Sequence, residues 1–171
     1  MFKWNYPTSI RFGIGAVQDL PEACRELGMT KPLLITDRGL APLPIVAEAL
    51  DISNKADLPT ALFSDVAPNP AGRDVDGGVA AYKDGNHDGV VAMGGGSALD
   101  VAKAVALMVG QSRPLWDFED QADWWTRVNE DGMAPVVAVP TTSGTGSEVG
   151  RASVIIDEAA QCKKVIFHPR M

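Results

Sequence analysis

The sequence predicts an α/β chain: a mostly parallel sheet covered by helices on both faces. Three observations predict it. Val90, Val91, Ala92 and Met93 form a short apolar run that breaks into Gly94, Gly95 and Gly96 and then into a helical pattern. Val136, Val137, Ala138 and Val139 form a second run, ending in a loop of Thr, Ser and Gly. Elsewhere short apolar runs alternate with segments of helical spacing, as expected of strands buried on both faces by intervening helices.

The elements follow in order. After a short apolar start, Leu20, Ala23, Cys24 and Leu27 recur at helical spacing, and Gly28 stands where that helix ends. Residues 31–36 read as a strand that presents Asp37 at its carboxyl end. A helix is expected over residues 43–50 and a strand at Ala61, Leu62 and Phe63, before the turn Pro68, Asn69, Pro70. Val75, Val79 and Tyr82 suggest a helix weakened by Gly77 and Gly78. After the strand at Val90 to Met93, Ala98, Val101, Ala102, Val105, Met108 and Val109 mark one apolar helical face. The polar stretch 111–134 interrupts the rhythm with Trp116, Trp124 and Trp125 among acids, and reads as a surface excursion with aromatic anchors.

Three consecutive glycines let an anion approach the main chain and let the turn adopt positive φ without a Cβ clash. Ser97, with Asp100 three residues on, fits the capping pattern of a helix start. The helix dipole favours an anion there by roughly 0.3 to 1 kcal/mol, so most affinity must come from hydrogen bonds to loop amides. The loop from Thr141 to Ser147 offers many donors with little bulk, which suits phosphate oxygens, sugar hydroxyls or a carboxamide. Taken singly, each loop also fits a plain turn or a polar surface loop.

Composition bounds the rest. A chain of 171 residues can bury roughly 70% of its unfolded surface, enough for one core. The net charge of -7 argues against nucleic acid or acidic membranes as partners. No apolar run approaches the roughly 20 residues that span a bilayer, and the start MFKWNYPTSI carries no leader pattern. Cys24 and Cys162 are too few for a disulfide scaffold and are expected to be reduced and structural, in a cytoplasmic protein.

The pair GGGSALDVAK (94–103) and VPTTSGTGSEVG (139–150) resembles the iron-containing, group III, alcohol dehydrogenases. Gly13 and Gly15, the Ile35-Thr36-Asp37 step, Ala67 to Pro70, Lys163 and Pro169 extend the likeness along almost the whole chain. The resemblance implies a Rossmann-like dinucleotide-binding domain over 1–171, without the helical metal-binding second domain of the family. It implies that Gly94, Gly95, Gly96 and Ser97 hold a pyrophosphate, that Asp100 and Lys103 are the polar positions of the next helix, and that Asp100 is among the cofactor-binding residues. Thr141, Thr142 and Thr145 then form the second cofactor loop, Lys163 reaches the cofactor ribose, and Asn69 lies beside the dinucleotide. The cofactor implied is NAD, the substrate a small alcohol or aldehyde, and a homodimer is allowed.

Asp37 carries a physical argument of its own, since ligands of open α/β sheets sit at the carboxyl ends of the strands. A carboxylate there accepts both hydroxyls of an adenosine ribose but repels a 2′-phosphate, which favours NAD over NADP. Arg38 works the other way, as a guanidinium that tolerates the extra phosphate. Without the family match, Asp37 reads as a turn or cap residue with Gly39 two positions later.

The family's metal, iron or another divalent ion, is held by an aspartate and three histidines of a second half that this chain does not contain. His87 and His168 cannot replace them; one reads as solvent-facing and the other as an unremarkable strand end. The chain is therefore expected to supply the NAD half of a reversible alcohol dehydrogenase and to be inactive alone. The alternatives are a non-catalytic dinucleotide-binding module or fragment, and an enzyme like glycerol dehydrogenase or dehydroquinate synthase on the same fold.

Overall fold

Strands β1 (Leu33–Ile35), β2 (Ala61–Phe63), β3 (Val90–Gly94) and β4 (Val136–Pro140) form one parallel sheet in the order β2-β1-β3-β4. The computed structural model describes residues 8–171, so the start of the chain and its leader reading lie, for 1–7, outside the described residues. Helices α1 (Leu20–Glu26) and α2 (Pro44–Lys55) cover one face, and α3 (Gly72–Asp84) and α4 (Gly96–Met108) the other.

Strand alternation divides the core in two. Leu34, Val91 and Met93 pack with Leu20, Cys24, Val46 and Ala49. Their neighbours Leu33, Ile35, Val90 and Ala92 point the other way, onto Val75, Leu99 and Val105. Helix α4 is apolar nearly all round because it lies between this sheet and a second one. Pro140 is accommodated because β4 is an edge strand. Helix α3 accepts its paired glycines for packing: a Cβ on Gly78 would come within 2.5 Å of Val105 Cγ2.

The second sheet is an antiparallel hairpin, β5 (Ala152–Asp157) and β6 (Cys162–Phe167), which the sequence reading did not anticipate. Ile155 and Ile166 bury its inner face against α4. Single bridges tie it to the rest: Ala71 with Ile156, and Glu119 with Ile166. The stretch 111–134 holds three short 3-10 turns and is indeed an excursion. Its anchors are only partly aromatic. Leu115, Phe118 and Val128 are buried, Trp116 packs on Gly72, and Trp125 stays at the surface.

Several expectations need correction. Strand β1 is shorter than residues 31–36, and α2 runs five residues past Leu50, to Lys55. His168 is 1% exposed and lies against Glu130 and the Trp125 ring, because the hairpin folds the strand end inward. His87 is half-buried, its Nδ1 2.9 Å from the Lys31 carbonyl. Cys24 is buried, whereas Cys162 is exposed at the hairpin end and fills no structural role in the core; both are free thiols. Among the described residues no helix is long and apolar enough to cross a membrane.

Candidate functional site

The strand order places a topological switch between β1 and β3, since the chain leaves β1 toward β2 on one side and returns to β3 on the other. The crevice beyond the carboxyl ends at such a point is where open α/β sheets take ligands. Asp37 follows β1 there and Gly94 ends β3.

Gly94 has φ +146°, and a Cβ on it would stand 2.7 Å from Ala98 Cβ and 3.4 Å from Asp37 Oδ2. Only glycine fits both the conformation and the space. The loop after β4 lies directly against this turn. Thr141 N–H donates to the Gly94 carbonyl at 3.0 Å. A Cβ on Gly95 would be 3.4 Å from Thr142 Oγ1, and one on Gly96 would be 3.0 Å from Thr145 Cγ2. The gap between the two loops is thus one that side chains at 95 and 96 would close. A dinucleotide fits this cradle, whose walls are main chain and hydroxyls.

The capping box expected at α4 is absent. The helix begins at Gly96, its N-cap is Gly95, and no side chain caps it. Asp100 is turned away instead. Its Oδ1 accepts the Ser147 hydroxyl at 2.6 Å and its Oδ2 accepts the Val154 N–H at 3.0 Å. Lys103 lies 3.6 Å from Asp100 and donates to the carbonyls of Gly150 and Ala152. Burial holds the Lys103 ammonium below its ordinary pKa, with Asp100 opposing the shift. Asp100 and Lys103 fasten the end of the threonine loop and the start of β5 onto α4.

Across this space Lys163 Nζ donates to Asn69 Oδ1 at 3.1 Å, 94 residues apart in sequence. Asn69 has φ 51° and sits in a loop held from behind by Asp74. That carboxylate is 4% exposed and accepts N–H groups from Ala67 at 3.1 Å and Ala71 at 2.7 Å. Asp74 was not foreseen, although its place three residues after the α3 N-cap is half of a capping box and could have marked it.

A groove of about 480 Å³ joins these parts and is lined by Asn69, Gly96, Ser97, Asp100, Thr145 and Lys163, among others. Gly94, Gly95, Thr141 and Thr142 form the adjoining turn rather than the groove wall, and Asp37 lies beyond them against Gly94. Asp37 is also the turn residue of the simpler reading, since its Oδ1 accepts the N–H groups of Gly39 and Leu40, both at 2.9 Å. Arg38 is paired with Asp65.

The residues present do not fit the family's metal. Among the described residues no group of three or more His, Cys, Asp or Glu could hold one. His168 Nδ1 accepts the Arg170 N–H at 3.2 Å, and His87 is spent on Lys31.

The chain matches the family model of iron-containing alcohol dehydrogenases over residues 7–171. It belongs to that family. A 4-hydroxybutyrate dehydrogenase of Cupriavidus necator is 37% identical over 163 residues, which cover 95% of this chain and 41% of that protein. The crystal structure of a 1,3-propanediol oxidoreductase matches with a TM-score of 0.89 at 32% identity, over 99% of this chain and 43% of that one. A sulfoacetaldehyde reductase from Bifidobacterium kashiwanohense, solved in complex with NAD+, matches with a TM-score of 0.83 at 28% identity, over 99% and 43%. The chain thus spans about two-fifths of the length of the curated relatives it matches.

Proposed function

We propose that residues 1–171 form the dinucleotide-binding domain of a NAD-dependent alcohol dehydrogenase of the iron-containing type. The observation that carries this reading is the bare glycine turn at the switch point, faced across a narrow gap by the threonine loop. Amides at Gly95, Gly96 and Ser97 would take the diphosphate, helped by the uncapped amino end of α4. The hydroxyls of Thr141, Thr142 and Thr145 would orient the nicotinamide half, and Lys163, held by Asn69, would reach a ribose hydroxyl. Asp37, with its Oδ2 beside Gly94, would accept the adenosine ribose hydroxyls and favour NAD over NADP. Asp100, which lines the groove, would both face the cofactor and, with Lys103 and Asp74, hold these groups in place.

When bound, NAD supplies the hydride acceptor for oxidation of a small alcohol, and the donor in reverse. The chain alone is proposed to bind NAD without turning over alcohols, since its described residues offer no metal-ligand cluster. That observation also favours the second reading, a dinucleotide-binding module without catalysis. Exposed Ile10, Phe12 and Ile14 support a homodimer, and the two free thiols support a cytoplasmic site.

Titration calorimetry with NAD tests the reading. Binding is expected in the unaltered chain and lost in Gly95→Val, whose side chain fills the gap toward Thr142. Equal binding by both would overturn it. NADH production from primary alcohols by the isolated chain supplied with iron or zinc would overturn the inactivity of the chain and the module reading together.

A further inference from the structure

We infer that Asp65 sets coenzyme preference by holding the Arg38 guanidinium away from the adenosine ribose. This rests on the NAD-binding reading above and names a residue that the glycine and threonine loops do not include.

Asp37 and Arg38 are adjacent but face opposite ways. Asp37 is fixed through Oδ1 by the Gly39 and Leu40 amides, which leaves Oδ2 beside Gly94 at the end of β3. Arg38 Nε donates to Asp65 Oδ1 at 2.7 Å, and a terminal nitrogen of the same guanidinium donates to the same oxygen. Asp65 lies just past β2, two residues after Phe63, which pairs with Ile35 of β1. The Arg38 N–H also donates toward β2, to the Val66 carbonyl at 3.4 Å. In the order β2-β1-β3, Asp65 and Gly94 therefore lie on opposite sides of Asp37.

The chemistry follows from that division. A guanidinium is the side chain best matched to a phosphate, through paired N–H donors. Arg38 is the group on this segment that could accept a 2′-phosphate, and Asp65 occupies its donors on the β2 side. Both partners are largely exposed, with side chains 62% and 71% accessible, so the pair is weakly held and competition is within reach. Neutralising Asp65 would free Arg38 without disturbing the core or the ribose contact of Asp37.

The test is calorimetric titration of the full chain with NAD+ and with NADP+, for the unaltered protein, Asp65→Asn, Arg38→Ala and the double variant. In Asp65→Asn, NADP+ affinity is expected to rise roughly three- to tenfold while NAD+ affinity stays within twofold. The gain is expected to vanish in the double variant, because it needs the guanidinium. An unchanged NADP+ to NAD+ ratio in Asp65→Asn would overturn the inference. So would an equal gain in the double variant, which would assign the effect to lost negative charge alone. Failure of the NAD+ reading is distinguishable: the unaltered chain would then bind neither dinucleotide.

Discussion

The Ser147 hydroxyl donates to the Asp100 carboxylate at 2.6 Å, joining the threonine loop to α4 across 47 residues of sequence. The other oxygen of Asp100 holds the Val154 amide, so one side chain fixes both the loop and the hairpin. Asp100→Ala strands two donors and removes the carboxylate nearest Lys103. Each unmet, part-buried donor costs about 1–3 kcal/mol, and the variant is expected to lose about 2–4 kcal/mol in urea unfolding. Asp100→Asn keeps a carbonyl acceptor and should lose less. An unshifted midpoint for Asp100→Ala would sink the assignment.

Gly94→Ala combines a strained backbone with a collision at Ala98. The φ of +146° alone costs about 1–3 kcal/mol for a residue with a Cβ. Gly144→Ala is the control, because φ there is +133° but nothing lies within 4 Å. Thermal melts should show the larger loss in Gly94→Ala, and only that variant should also weaken NAD binding.

Asp37→Ala removes the acceptor of two turn amides and the ribose carboxylate together. Stability is expected to fall by about 1 kcal/mol, as for loss of a helix cap. Preference for NAD over NADP should fall in paired titrations. An unchanged preference would place the ribose elsewhere.

His168 makes stability depend on mild acid. Burial holds its pKa below the ordinary 6.5, with Glu130 opposing and Arg170 reinforcing the shift. The unfolded chain therefore takes up the proton first, so stability falls as pH drops from about 6.5 toward the lower folded value. Melts between pH 7.5 and 5.5 should show a fall for the unaltered chain and a smaller one for His168→Gln. Parallel profiles would remove His168 as the cause.

The two thiols should react at different rates. Burial pushes the Cys24 thiol up to about 11, while Cys162 is exposed. Iodoacetamide at neutral pH is expected to label Cys162 alone, as peptide mass mapping would show.

The sheet was legible because β3 and β4 are continuous apolar runs, and the glycine turn because three glycines in a row have few structural uses. The roles of Asn69 and Lys163 came only through family likeness, since nothing local announces a contact 94 residues long. Ser97 and Asp100 misled for the opposite reason: their spacing satisfied a local rule, but the donors that claimed Asp100 lie on the loop and on β5. The hairpin is hard to read because Lys163 and Lys164 break the apolar pattern of β6, leaving the short run Val154-Ile155-Ile156 of β5 without a recognisable partner. Its turn runs through Glu158 to Gln161, with Gln161 at φ 53°, in place of the Asn-Gly or Asp-Gly signal that marks a tight hairpin.

That hairpin forms a ladder of its own, attached by the ties from Asp100 and Lys103 and by single bridges at Ala71 and Glu119. The two strands rely on packing of Ile155 and Ile166 against α4 for their stability, whereas β3 sits inside a four-stranded ladder. Amide protons of β6 should therefore trade with deuterium well before those of β3. Earlier exchange there would mean that the side of the groove lined by Ala152, Val154 and Lys163 opens more readily than the side formed by the start of α4.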